Sequence, residues 1–130
     1  TTPRMTRITN TSDEYFTAEE LCCSHCGAYK FDTGFRALLN DMRAELGFPL
    51  PVTSGYRCPE HPLEKRKGHA EGAHTTGKAI DIAVSGSQAL ALVELALKRG
   101  VTRIGVNQKG AGRFIHLDKS DLPGPTIWSY

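Results

Sequence analysis

His74, Asp81 and His116 are the residues of this chain whose types and spacing could do chemistry. Two imidazole nitrogens and a carboxylate oxygen suit a catalytic zinc ion, which takes three protein ligands and keeps a fourth position for the water it activates. A structural zinc would more often use cysteines. The surroundings say how the three could meet. Gly72-Ala73-His74-Thr75-Thr76-Gly77 reads as a loop in which Gly77 permits a tight turn, Asp81 lies within the apolar alternation of Ile80, Ile82 and Val84, and His116 lies within Phe114-Ile115-His116-Leu117-Asp118. A loop ligand and two strand ligands can therefore converge. Taken singly, each has an ordinary explanation: a loop histidine, a strand-start carboxylate bonded to nearby backbone, a satisfied core histidine. Taken together they do not, because two ionisable groups embedded in apolar strand patterns are costly to bury without a partner. One Zn²⁺ per chain would be that partner.

Arg57 is the second chemical feature. Pro51-Val52-Thr53-Ser54-Gly55 reads as a short strand running into a turn, with Arg57 just beyond it. A permanently charged guanidinium there could stabilise an oxyanion on a tetrahedral intermediate or fork onto a peptide carboxylate. An ordinary surface ion pair is the competing reading.

The elements that must position these residues follow from pattern. Thr17-Ala18-Glu19-Glu20 is a capping box for a short helix. A longer helix starts at Asp32 or Thr33, carries Phe35, Leu38, Leu39, Met42 and Leu46 on one face, and stops at Gly47 and Pro49. Another begins near Ser87 and carries Leu90, Val93, Leu97 and their neighbours to Gly100. Strands are expected at 51–54, 79–84, 102–106 and 113–118, the last two joined as a hairpin. The fold class expected is α+β, with helices on one side of a small sheet. An N-terminal arm to about residue 15 precedes one domain, 16–130.

Composition bounds the rest. A chain of 130 residues with 39% hydrophobic content is one globular domain able to bury a core without disulfides. A net charge of +2 does not suggest a dedicated nucleic-acid binder. Lys65, Arg66 and Lys67 form the one basic cluster, read as a solvated loop, and it lacks the interleaved aromatics of a nucleic-acid surface. The sequence contains no apolar run long enough to span a membrane and no signal-peptide core; the chain opens Thr1-Thr2-Pro3 without an initiator Met. No nucleic acid and no membrane are expected as partners, and a monomer is expected. Among the four cysteines, Cys23-Ser24-His25-Cys26 has redox or zinc-half-site spacing, but a four-thiolate site would need adjacent Cys22 and Cys23 both to ligate. Partly buried thiols, or one bridge from the 22–26 segment to Cys58, are expected instead.

These motifs resemble the zinc D-alanyl-D-alanine carboxypeptidases and murein endopeptidases that share the hedgehog/DD-peptidase fold. The pattern His, two residues, Gly, one residue, Ala, one residue, Asp stands at His74, Gly77, Ala79 and Asp81. Thr53-Ser54-Gly55-Tyr56-Arg57-Cys58-Pro59-Glu60-His61 is similar to the family's Ser-Gly-Tyr-Arg segment, and the ending Trp128-Ser129-Tyr130 resembles its phage-type and murein-peptidase branch. The resemblance runs from about Phe16 to the C-terminus. It implies a mainly antiparallel sheet, zinc ligation by His74, Asp81 and His116, a catalytic role for Arg57, and peptidoglycan peptides as substrate. It also implies a phage-associated or periplasmic site of action on the cell wall.

One position departs from the pattern. In several branches a carboxylate three residues before the last ligand takes the proton of the activated water. That position is Arg113 here, and no Asp or Glu occurs between Val101 and Ile115. Asp118 is the expected substitute, since residues 114, 116 and 118 share a strand face, with Cα atoms two residues apart separated by about 7 Å. The other reading of Asp118 is a carboxylate that orients the His116 imidazole. Glu60, His69 and Glu71 are further candidates. The missing carboxylate also leaves room for a different class of protein, a zinc-containing wall-binding module of a phage tail or assembly that has lost catalysis.

Overall fold

A computed structural model of the chain describes residues 15–58, 61–62 and 73–130. The expected arm therefore falls outside the described residues, except for Tyr15. So do Glu60, the cluster of Lys65, Arg66 and Lys67, and the candidates His69 and Glu71.

Helix α1 (Ala18–Leu21) forms on its capping box: Glu20 N–H donates to the Thr17 hydroxyl at 3.2 Å, and Thr17 N–H donates to the Glu20 carboxylate at 2.9 Å. Helix α2 (Thr33–Leu46) is capped by Asp32, whose carboxylate accepts from Phe35 N–H at 2.8 Å, and it ends at Gly47. Phe35, Leu39 and Met42 of its apolar stripe are buried, as expected.

Helix α3 (Gly86–Lys98) departs from the expected stripe. Its buried residues are Ala89, Leu92, Leu95 and Ala96, while Leu90 is 72% and Leu97 54% exposed. The segment Ala89-Leu90-Ala91-Leu92-Val93 and its continuation are so uniformly apolar that neighbouring stripes fit a helix almost equally. Moving the stripe by one position turns it by about 100°. The small residues Ala89 and Ala96 take the inner face, which allows close approach to the sheet.

The sheet has five strands: β1 (Val52–Ser54), β2 (Ala79–Ile82), β3 (Arg103–Asn107), β4 (Phe114–Asp118) and β5 (Thr126–Ser129), in the order β1-β2-β4-β3-β5. All neighbours are antiparallel except β3 and β5, which run parallel. The α+β class and the β3–β4 hairpin are as expected. Strand β5 is not among the expected strands; it is a four-residue edge strand with mostly exposed residues, so burial leaves little alternation in its sequence.

The strand period separates two faces. Ile80, Ile82, Ile104, Ile115 and Leu117 enter one core with Leu39, Met42 and Leu92 of the helices. Asp81, Arg103, His116 and Asp118 occupy alternate positions and so face the other way. That second face receives the turn that carries His74, a 3₁₀ turn over Ala73–Thr76. Gly77 ends the turn at φ 75°, and its carbonyl accepts from Asp32 N–H at 2.7 Å. A Cβ at this position would collide with the Lys30 carbonyl oxygen.

Gly77→Ala is expected to destabilise the fold by about 1–3 kcal/mol from backbone strain alone, with the collision adding to it. Urea unfolding of the variant against the parent checks this, and an unchanged midpoint would contradict the role of Gly77.

Candidate metal centre

The pairing of β2 with β4 sets Asp81 directly opposite His116. His74 reaches the same point from the 3₁₀ turn. One donor atom from each of the three residues lies within 4.8 Å of the others. All three are buried, at 3%, 7% and 3% exposure for His74, Asp81 and His116.

Hydrogen bonds fix each donor. His74 Nδ1 lies 2.7 Å from the Gly55 carbonyl, which can only accept, so Nδ1 carries the proton and Nε2 is free to present its lone pair toward Asp81 Oδ1, 3.3 Å away. His116 Nε2 lies 2.6 Å from Asp118 Oδ2, and its Nδ1 lies 2.9 Å from Asp81 Oδ1. Imidazoles held this way, by a carbonyl in one case and a carboxylate in the other, present the opposite ring nitrogen in a fixed direction. The donor set, two nitrogens and one oxygen with the partners already in place, fits a zinc ion.

The electrostatics of the metal-free centre are those of a site with a proton where a cation would go. Burial disfavours the charged form of His74 and outweighs Asp81, so its pKa lies below the ordinary histidine value. Burial also opposes charge on His116, yet the hydrogen bonds to Asp118 and Asp81 prevail and raise its pKa. Burial would raise Asp81, but the two imidazoles hold its carboxyl well below the usual carboxylate range. Asp118 is likewise lowered, by His116, Ser120 and Arg103 against its burial. Both ring nitrogens of His116 thus face carboxylate oxygens, an arrangement that favours its protonated form.

Arg57 stands beside this cluster. Its Nη2 is 3.3 Å from Asp81 Oδ2, its Nε donates to Ser54 Oγ at 3.0 Å, and its backbone N–H donates to the His74 carbonyl at 3.2 Å. Both it and the three ligand candidates line a cavity of about 930 Å³. Asp118 does not. Its side chain has no solvent exposure, and it sits behind His116 with Oδ1 held by Arg103 Nε at 2.8 Å and Ser120 Oγ at 2.8 Å. Four of the five residues singled out in the sequence therefore meet at the cavity, and the fifth braces one of them from outside it.

Sequence reasoning missed Arg103. It pairs across the hairpin with Asp118 and lies over the Trp128 ring, 5.3 Å from its centroid, while Trp128 in turn packs 5.1 Å from the His116 ring. Counting back from the expected loop, 107–112, sets 106 against 113 and 103 against 116, so the observed pairing of Arg103 with Asp118 was two residues out of reach. Trp128 and Tyr130 were noticed only as part of a resemblance, and they form a wall of the cavity.

A family model described as Peptidase M15 matches residues 14–118, most of the chain. No curated protein and no solved structure matches it.

Replacing His74, Asp81 or His116 by Ala is expected to remove one zinc ion per chain, since three ligands leave no redundancy; metal analysis of folded variants checks each residue. Binding must also displace the His116 proton. Affinity should therefore climb by up to about tenfold per pH unit while His116 is protonated and level off above its raised pKa. Without metal the sign reverses: the stability that His116 contributes is complete below its unfolded value and disappears as pH rises through the folded one. Calorimetric titration in buffers of different ionisation enthalpy reads the released proton, and zinc affinity independent of pH would refute the displacement.

Proposed function

Because the chain belongs to the Peptidase M15 family, we propose that it is a zinc-dependent peptidase that cuts peptidoglycan stem peptides or their cross-links, as a D,D-carboxypeptidase or murein endopeptidase. The observation that carries this reading is the convergence of His74, Asp81, His116 and Arg57 on one cavity of about 930 Å³. Zinc held by the three ligands supplies an activated water and a Lewis acid for the scissile carbonyl.

The chain's own residues supply the rest. Arg57, tethered by Ser54 and Asp81, offers N–H groups to negative charge that develops on the carbonyl oxygen, or to a terminal carboxylate of the substrate. Arg103 and Arg113 also line the cavity, whereas Asp81 is the one carboxylate on its wall among the described residues. A cationic cleft of this kind favours peptides rich in carboxylates, which stem peptides are. Asp118 serves here as the carboxylate that orients His116. Its two oxygens are already engaged and it faces away from the cavity, which supports that role over proton transfer. Of the candidates for the proton acceptor, Glu60, His69 and Glu71 are the ones to vary.

The absence of a second carboxylate on the described cavity wall also favours, more weakly, the wall-binding module. Digestion of purified peptidoglycan by zinc-loaded protein decides between them. New amino groups, with mass spectrometry naming the bond, establish the peptidase; binding to peptidoglycan without release from any type establishes the module.

Two variants test the assignments. Arg57→Ala is expected to retain zinc and lose on the order of a hundredfold in kcat; an unchanged kcat would end that proposal. Asp118→Asn is expected to weaken zinc affinity by about 10–100-fold, with activity recovered at excess metal. A loss of about 10²–10⁴ in kcat at saturating zinc would instead make Asp118 the proton carrier.

A further inference from the structure

Cys23, Cys26 and Cys58 bring their sulfur atoms within 4.8 Å of one another, although the second and third stand 32 positions apart in the chain. All are free thiols. The obstacle seen in the sequence, that Cys22 and Cys23 would both have to ligate, does not arise. Cys22 turns back toward α1, with Sγ bonded to the Glu19 carbonyl at 3.3 Å, and takes no part in the cluster.

The backbone around the cluster is shaped for thiolates. Between Cys23 and Ala28 the chain closes a tight turn, Gly27 N–H donating to the Cys23 carbonyl and Cys23 N–H to the Ala28 carbonyl, each at 2.8 Å, with Gly27 at φ 78°. The Cys58 N–H donates to Cys23 Sγ at 3.3 Å. An N–H donor on the sulfur favours its anionic, metal-ligating form. The second strand of the cluster repeats the spacing of the first: Cys23-x-x-Cys26 is answered by Cys58-x-x-His61. His61 N–H closes a turn onto the Cys58 carbonyl at 3.0 Å, and its Nε2 lies 3.0 Å from Ser24 Oγ, inside the first half-site. The three sulfurs form the convergent group, and His61, outside that group but held against Ser24 of the first half-site, supplies the residue type and spacing of the fourth ligand of a closed structural zinc site.

We propose that Cys23, Cys26, Cys58 and His61 hold a second, structural zinc ion, distinct from the centre at His74, Asp81 and His116. With His61 as fourth ligand no position would remain for water, so this ion would do no chemistry. Each ligating thiol loses its proton to solvent on binding. The site ties the irregular segment after α1 to the segment after β1, a place where the apolar core is thin: Cys23, Tyr56 and Cys58, with Ala28 against them, form a cluster separate from the main core. Ser24, Arg57 and His61 line the cavity, so the staple also fixes one rim of the cleft.

The experiment uses the whole chain carrying His116→Ala, which empties the other centre. Purified under reducing conditions, it is expected to retain one zinc per chain. Replaced by Co²⁺, that metal should give the near-ultraviolet charge-transfer absorption of thiolate ligands. Adding Cys58→Ser should abolish the absorption; His61→Ala should weaken metal binding by about tenfold or more through a lost ligand, while His25→Ala leaves it unchanged. Because the main readout is taken with all four cysteines in place, it does not depend on a cysteine variant that folds. Three results would overturn the proposal: no metal in His116→Ala protein, bound cobalt without the thiolate absorption, or fewer than four alkylatable thiols in the denatured, unreduced chain. Loss of binding through His25 rather than His61 would refute the assigned fourth ligand. None of these outcomes bears on whether the chain cuts peptidoglycan.

Discussion

The register between β2 and β4 is the constraint on which the rest of the structure depends. It sets Asp81 opposite His116 and Ile80 opposite Leu117. Because side chains alternate, the same pairing that closes the core against the helices also places two ligand candidates side by side on the far face. A slip of one residue would turn one strand inside out relative to the other, burying its ionisable residues against Leu39 and Leu92 and presenting its apolar ones to the cleft. The hydrophobic requirement of one face therefore enforces the chemistry of the other. No separate device is needed to bring the ligands together.

Once on that face, the charged groups stabilise one another. Asp81 is met by two imidazoles and a guanidinium; Asp118 is met by His116, Arg103 and Ser120. Buried charges survive in low dielectric only when compensated in this way. The compensation is also graded. Asp118 lies deeper than Asp81 and holds the imidazole from behind, so the His116 proton on the Asp81 side can leave to solvent, displaced by a cation, without the ring losing its orientation. Trp128 packs against both His116 and Arg103 and so screens their side of the cluster.

How much of this was legible in the sequence depended on whether one physical requirement stood alone. Capping and an apolar stripe both mark α2, and both agree with the structure. The ligand candidates were legible because an ionisable residue inside an apolar strand needs a reason. In α3 the requirement was under-determined, since Leu and Ala at nearly every position satisfy any face, and Ala89, Leu92, Leu95 and Ala96, not Leu90 and Leu97, proved to be the inner ones. The direction of Asp118 was not legible either. Strand period places residues 116 and 118 on one face but does not say on which side of the imidazole the carboxylate falls. The cysteine cluster escaped for a third reason: Cys22 obscured the first half-site, and the second, Cys58-x-x-His61, becomes a half-site only when the fold brings it to the first.

The five residues from Ser54 to Cys58 connect these pieces. Ser54 Oγ holds Arg57; the Gly55 carbonyl fixes His74; Tyr56 N–H bonds the Leu21 carbonyl at 2.8 Å; Arg57 reaches Asp81; and Cys58 N–H bonds the Cys23 sulfur. Nothing larger than glycine fits at residue 55, where a Cβ would stand 2.6 Å from the Leu21 carbonyl oxygen. A segment in which successive residues anchor different parts of the site cannot shift at one anchor alone. A displacement at the cysteine cluster would move Arg57 by way of its neighbour Cys58, and a displacement at Gly55 would release the His74 ring. In this stretch the identity of each residue is set by a different partner, and together they hold the guanidinium and the imidazole in fixed relation to the carboxylate between them.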